Sequence, residues 1–534
     1  MMRTLSPQIL VRLLWLAIPA AFGGLALVLG MDANWDLRNY HYYNAWAFLT
    51  DRYGQDIAVA QIPSFYNPLL DVPYFLLAQM LPARVLAVLL GILHGLNFCV
   101  LAALADALLP GPARSWRRAG LSLLAAGAGV CGAVALSEVG TVFYDNLLSL
   151  GLFAALLGIV RFWPALVAAP LPRALPRAIL AGLPVGLAFG LKQTSVIYAV
   201  GVWTALLVTL PVPPVRRLAV AFACGLGICL GLAAGGGYWM AHLWSAYANP
   251  LFPMFNQLFR SPWGLADSYR DTQYLDGPLW RRLLYPVLFA IDSRQAGEIV
   301  FRDFRVLAAF LLIPLAGLAA ACRRTGKTMP FPPRPAAFVM VAASVSYLAW
   351  LDLFAVYRYI TALEMLSPLL VLLAIGFLGP LGRHRLPAGA VMIGLLVVTT
   401  GPGTWIRVPF ADKAVSATVP PLAQPQNTIV LLAGHEPLSF LLPSFPPEVR
   451  FLRIDSTFTN PDQTNVRFNQ VMRDAVATHQ GPLMALFIPT ERHDVVRRLG
   501  DYGLVLADRP CGEVTSPIGA APYALCPLEP RQNQ

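Results

Sequence analysis

Lysine is almost missing from this chain: Lys192, Lys327 and Lys413 are the only three in 534 residues. Charge of either sign is scarce. Charged residues make up 13% of the sequence, against roughly 25% in a soluble globular domain, while 57% are hydrophobic and the mean hydropathy is +0.60. This excludes a soluble globular domain and implies an integral membrane protein of the mainly α class. Cysteine is sparse too, and no C-x-x-C or clustered Cys/His pattern supports a zinc site. Cys99, Cys131, Cys224, Cys229 and Cys322 lie in or beside apolar stretches as buried thiols. Cys511 and Cys526 fall in a polar C-terminal part, where an oxidising compartment would join them in a disulfide.

What is present is a series of apolar windows of about 20 residues, the length that crosses a hydrocarbon core of about 30 Å. About eleven spans are expected, at 12–30, 84–109, 119–137, 146–163, 178–191, 195–210, 218–238, 304–321, 336–352, 360–379 and 387–403. The formal net charge of +11 could suggest nucleic acid, but the arginines sit in short loops between these windows. Arg114/Arg117/Arg118, Arg173/Arg177, Arg216/Arg217, Arg323/Arg324/Lys327 and Arg383/His384/Arg385, with Arg3 and Arg12, obey the positive-inside rule. Topology explains the charge, and no nucleic-acid partner is expected. The odd span count puts the N-terminus in the cytoplasm and the C-terminus outside. The first span has no convincing cleavage site and reads as a retained helix.

The chain thus divides into a membrane region, 1–403, with long outward loops at 31–83 and 239–303, a Pro-containing linker, 404–427, and a small α/β domain, 428–534, outside the membrane. In the last part β-like runs at 428–432, 449–454 and 483–488 alternate with helix-like stretches at 464–478 and 490–499. It has no Gly-rich phosphate loop, which favours a lid or docking module over a nucleotide site. The stretch 67–77 is too short and too Pro-broken to cross, and should form an amphipathic helix in the interface.

Acidic residues are distributed unevenly. Sixteen precede position 404, and on this threading all but Asp106 lie on the outer side or in the outer halves of the helices. The densest group, Asp32 to Tyr43, follows the first span. Asp36, beside Trp35 and the polar set Arg38, Asn39, Tyr40 and His41, is the leading general-base candidate, because partial desolvation raises a carboxylate's basicity. A solvated aspartate bonded to its own backbone is the plainer account. Glu138 and Asp145 form a second outward pair, in which Asp145 can also cap the next helix. Lys192 stands between two apolar windows, where a cation is costly unless paired. An anionic phosphate is a natural partner, and snorkelling is the alternative. Arg358, followed by Tyr359, can grip phosphate with two parallel hydrogen bonds or pair with Asp352.

In their order and sidedness these elements resemble the GT-C superfamily of polytopic lipid-linked-sugar glycosyltransferases, notably bacterial aminoarabinose transferases and protein O-mannosyltransferases. The resemblance covers roughly residues 12–380 and rests on Asp36-Leu37-Arg38-Asn39-Tyr40 after the first span, Asp145, Leu187-Ala188-Phe189-Gly190-Leu191-Lys192, and Arg358-Tyr359 before Pro368. It implies a GT-C-like fold in a bacterial inner membrane that moves a sugar from a polyprenyl-phosphate-linked donor to a glycan, lipid or protein acceptor on the outer face. Inversion at the anomeric carbon is part of that implication. Asp36 and Asp145 would be catalytic and Lys192 and Arg358 would hold the donor phosphate. Arg38, Asn39, Tyr40, His41, Glu138 and Tyr359 would line the substrate. The family allows a divalent metal, Mg or Mn, and no ligand set in the chain compels one. Where aminoarabinose transferases carry a lysine before a proline pair, this chain has Asn67-Pro68, so phosphate binding falls to Lys192 or Arg358. A lipid or sugar transporter and a non-catalytic envelope-assembly scaffold are the rival classes. The first requires mid-membrane charges and a repeated half, neither of which is evident, and the second requires that Asp36→Asn be tolerated.

The topology makes a direct prediction. Reporter fusions at Ser115, Arg216 and Arg383 should report cytoplasm and those at Asp51, Asp271 and Asn460 the outside; an inside signal at Asn460 would overturn the threading.

Overall fold

The computed structural model describes residues 7–112, 115–275, 277–322 and 330–531. Arg3, Arg114, Asp276, Arg323, Arg324 and Lys327 lie outside them. Two compact units emerge: one made of 1–29, 87–237 and 271–405, the other of 30–86, 238–270 and 406–534.

The first unit is a helical bundle. A helix stands at each of the eleven expected spans, and together they make a polytopic α-helical membrane protein. Eight helices among the described residues are long and apolar enough to cross a membrane. The other three, Trp116–Val130, Val196–Thr209 and Arg305–Ala321, have 15, 14 and 17 residues and are shorter than expected. The first stops because the chain turns at Cys131-Gly132 into a separate short helix, Ala133–Ser137. Prolines open several helices, as in Leu171–Leu191, Pro214–Leu232 and Pro333–Leu353, where a missing N–H costs nothing. At the centre is Thr361–Phe377, every residue of which is buried.

Helices of the bundle approach closely because small residues face each other. Gly182, Gly186 and Gly190 of one helix meet a second ladder, Gly227, Gly231 and Gly235, with a spacing of four residues in both. A Cβ on Gly186 would lie 2.2 Å from the Ile228 carbonyl oxygen, and one on Gly231 2.3 Å from that of Leu183. Backbone-to-backbone packing of this kind replaces the hydrophobic drive that lipid cannot supply.

The two ends of the bundle differ chemically. At one end, arginines that open one helix donate to carbonyls that close another. Arg216 Nε bonds Leu166 O at 3.0 Å, Arg217 Nε bonds Leu210 O at 3.0 Å, and Arg385 Nη1 bonds Gly376 O at 3.2 Å. Each satisfies carbonyls that have no partner within their own helix, at the negative end of its dipole. Arg118 pairs there with Asp106, Nε to Oδ1 2.8 Å. The opposite end holds the other carboxylates of the bundle helices.

The second unit centres on a mixed sheet. Its strand order is Arg450–Arg453, Ile429–Leu432, Leu483–Phe487, Tyr523–Pro530 and Leu504–Leu506, with Gly512–Val514 also on Tyr523–Pro530. The first three are parallel and the rest antiparallel. Helices Arg467–Thr478 and Arg492–Gly500 cover it through Phe468, Met472, Val476, Val495 and Leu499. Cys511 and Cys526 are disulfide-bonded, Cα to Cα 4.2 Å. The segment after the first span joins the same unit. Ile57 N bonds Phe451 O and Arg453 N bonds Ile57 O, both at 3.0 Å, which covers the sheet's open edge. Met31–Asp32 pairs with Arg407–Val408. The stretch expected as an amphipathic helix at 67–77 forms Asp71–Met80, with Tyr74, Phe75 and Ala78 buried and Leu76, Leu77 and Met80 exposed.

The glycine ladder gives a stability prediction. Gly186→Ala should destabilise the purified protein by about 1–3 kcal/mol, since its methyl meets backbone that cannot yield. Gly394→Ala, with nothing within 4 Å, should be neutral or slightly stabilising by helix propensity. Thermal unfolding in detergent compares them; equal midpoints would contradict the close-packing account.

Candidate functional site

The bundle end that carries the carboxylates is built where its helices break. After Ala133–Ser137 the chain turns through Glu138 to Tyr144, with Gly140 at φ 75° and Tyr144 at φ 63°, before the helix Asp145–Ala168 begins. A tyrosine held in the left-handed region is strained, and the strain sets the entry angle that places Asp145 in the first helical turn. Two carboxylates from elsewhere fix the preceding segment. Glu364 Oε1 accepts from Ala135 N at 3.0 Å and Oε2 from Val134 N at 3.3 Å, while Asp303 Oδ2 accepts from Ala133 N at 2.9 Å. Fully buried Arg305 pairs with Asp303 and donates to Ala128 O, Cys131 O and Thr400 Oγ1.

Lys192 follows the helix Leu171–Leu191, two residues beyond the last glycine of its ladder. Its Nζ lies 2.9 Å from both Asp145 carboxylate oxygens and 3.0 Å from Phe143 O. It does not snorkel away; it is paired. Arg358 stands in the 3-10 turn Tyr357–Ile360, tied down by Tyr357 N to Ala296 O at 2.7 Å, Thr361 Oγ1 to Arg358 O at 2.7 Å and Tyr198 Oη to Tyr359 O at 2.6 Å. Arg358 Nη1 lies 3.5 Å from Asp145 Oδ2, and Nε lies 3.0 Å from Glu298 Oε2. Asp352, the alternative partner weighed for Arg358, lies 3.5 Å from exposed Arg282.

Aromatic faces surround the two cations. The Arg358 guanidinium lies 4.3 Å from the Phe143 ring centroid, 5.4 Å from Tyr359 and 5.8 Å from Trp405, and Lys192 Nζ lies 5.6 Å from Tyr359. Trp405 Nε1 donates to Ser137 Oγ at 3.0 Å. Such faces stabilise cations without neutralising them. Trp405 is the second residue of the expected linker, 404–427, and was not among the candidates.

No protein-family model matches this chain, and neither does any curated protein. Among solved structures it is similar to the crystal structure of ArnT from Cupriavidus metallidurans bound to undecaprenyl phosphate, which covers 97% of each chain at 12% identity with a TM-score of 0.49. So distant a likeness says nothing of ligand or reaction here, which have to be argued from this chain's own residues.

Glu138 completes the cluster differently. It is 3% exposed, and neither carboxylate oxygen has a hydrogen-bond partner. Burial, and then the negative charge of Asp145, hold its carboxyl well above the usual carboxylate range, against the pull of Arg358 and Lys192. Asp145 takes the two cations, while burial and the neighbouring carboxylate bias Glu138 toward its protonated form.

The other candidates lie in the second unit. Residues 35–49 are helical rather than a solvated loop, with a π turn at Leu37–His41, a feature that accompanies functional sites. Tyr40 Oη donates to half-buried Asp36 Oδ2 at 3.3 Å. Arg38 Nε bonds Ala33 O and Asn39 Nδ2 bonds Ala60 O, both at 3.1 Å, while His41 Nδ1 lies 2.6 Å from Asp71 Oδ1. Arg38, Asn39 and His41 thus hold the helix in its unit, and Asp36 and Tyr40 are brought together. The crevice at the carboxyl ends of the parallel strands, where open α/β sheets take ligands, is filled. There Glu491 Oε1 accepts from His435 N at 3.1 Å and Arg453 Nη2 donates to Glu436 O at 2.7 Å.

A pH prediction follows from Glu138. A carboxyl whose folded pKa is raised binds more protons folded than unfolded, so stability falls as pH rises from the ordinary glutamate value, about 4.3, toward the raised one. Glu138→Gln copies the neutral acid, so its thermal midpoint should gain on the parent as pH increases from 5 to 9. Parallel midpoints across that range would mean that Glu138 is ionised throughout.

Proposed function

We propose that the protein is a membrane glycosyltransferase that moves a sugar from a polyprenyl-phosphate-linked donor to an envelope acceptor on the outer face of a bacterial inner membrane. One observation carries the reading. Two cations, Lys192 and Arg358, converge on a single carboxylate at the carboxylate-bearing end of a bundle of membrane-length helices. Two cations gathered at this depth form a ready receptor for an anion, and a phosphate presented at the membrane boundary by a lipid chain matches both charge and depth. The family resemblance through Asp36, Asp145, Lys192 and Arg358 supports the same reading.

In the reaction the acceptor hydroxyl attacks the anomeric carbon, the carbon–oxygen bond to phosphate breaks, and polyprenyl phosphate leaves with the electron pair. Lys192 and Arg358 take up the charge that gathers on the phosphate as it departs, which is where fixed charges contribute most. Asp36 accepts the hydroxyl proton. Attack opposite the leaving group inverts the sugar. Among the described residues no three His, Cys, Asp or Glu groups gather as a metal site, and no step is routed through a metal.

Transfer from a purified polyprenyl-linked sugar, with donor affinity measured separately, tests these roles. Asp36→Asn should lower turnover by about 10²–10⁴-fold with donor binding retained. Lys192→Ala and Arg358→Ala should chiefly weaken donor binding. Near-parental turnover by Asp36→Asn would remove it as the base, and a parent idle with every donor would favour transport or scaffolding.

A further inference from the structure

Glu298 belongs to the cluster by position and has no part in the chemistry just described. Its carboxylate meets Arg358 edge to edge, Nε to Oε2 at 3.0 Å and Nη2 to Oε1 at 3.4 Å. This is the fork-to-fork arrangement in which a guanidinium also receives two phosphate oxygens. Its side chain is 38% exposed, whereas that of Arg358 is 6% exposed and that of Asp145, on the Nη1 atom, 8%. Asp145 is thus buried and shared with Lys192, whereas Glu298 is open to solvent.

The backbone around Glu298 is held by its own hydrogen bonds, and its carboxylate faces solvent. Ala296 O accepts from Tyr357 N, Gly297 N donates to Ser293 O, and Phe301 N donates to Ser293 Oγ at 3.0 Å, with the Phe301 ring 4.5 Å from that of Tyr357. A side-chain rotation alone frees the Nε/Nη2 edge of Arg358.

Resting on the donor-phosphate reading above, we propose that Glu298 is an internal stand-in for the donor phosphate, occupying the phosphate-binding edge of Arg358 and displaced when a polyprenyl phosphate binds. It keeps the guanidinium paired and oriented in the empty protein and sets a threshold that weakly held anions do not pass. A half-exposed ion pair is worth up to about 1 kcal/mol, so removing the competitor should tighten binding by about two- to five-fold.

The experiment titrates undecaprenyl phosphate into the purified full chain in lipid nanodiscs, for the parent, Glu298→Gln, Glu298→Ala, Arg358→Ala and the double variant Arg358→Ala/Glu298→Gln. The expected result is tighter binding by both Glu298 variants and no such gain in the Arg358→Ala background. Unchanged or weaker binding by the Glu298 variants, with Arg358→Ala still weakened, overturns the stand-in and leaves the donor site intact. The same gain in the Arg358→Ala background also overturns it. Parental affinity in Arg358→Ala overturns both this inference and the donor-site reading.

Discussion

The pairing of Lys192 and Arg358 with one carboxylate, Asp145, is the constraint on which the rest of the bundle end depends. Charges this poorly hydrated are tolerable only together. Removing one partner from such a group leaves a charge less well compensated, at a cost that grows with its burial. Each charge must therefore be held in place from its own side. The glycine ladder brings the helix that ends at Lys192 against its neighbour, the left-handed Tyr144 turns the chain so that Asp145 starts a helix, and the Tyr357–Ile360 turn aims Arg358.

Around that trio the division of labour follows from exposure. Glu138 is sealed and its carboxylate makes no hydrogen bond; Asp145 is bonded to both cations; Glu298 faces water. Phe143, Tyr359 and Trp405 hold the cations by their ring faces, which leaves the positive charge available to a ligand. Asp303 and Glu364 act on this arrangement through the backbone. They accept the N–H groups of Ala133, Val134 and Ala135 and so fix the segment from which Glu138 projects.

Much of this was legible in the sequence, for identifiable reasons. Apolar length and arginine placement marked all eleven helices, because hydropathy and terminal charge are local properties. Lys192 and Arg358 stood out because isolated cations beside apolar windows are costly. Asp145 was visible as the acid at a helix start. Glu298 was not, since an acid in a long polar segment looks like any other until the chain is folded onto Arg358. Trp405 lay in what reads as a linker, and its partners Ser137 and Phe143 are more than 250 residues away in sequence. The two G-x-x-x-G ladders, Gly182-Gly186-Gly190 and Gly227-Gly231-Gly235, were readable but only acquire meaning as facing surfaces. The same holds for residues 31–83, whose pairing with the C-terminal sheet depends on long-range contacts such as Ile57 with Phe451.

The central claim is that Lys192 and Arg358 together receive a lipid-borne phosphate. The most direct measurement is a cryo-electron microscopy structure of the full chain with bound polyprenyl phosphate. The account predicts phosphate oxygens at hydrogen-bonding distance, about 3 Å, from both Lys192 Nζ and the Arg358 guanidinium. A phosphate held elsewhere, with both cations still paired only to their carboxylates, would contradict it.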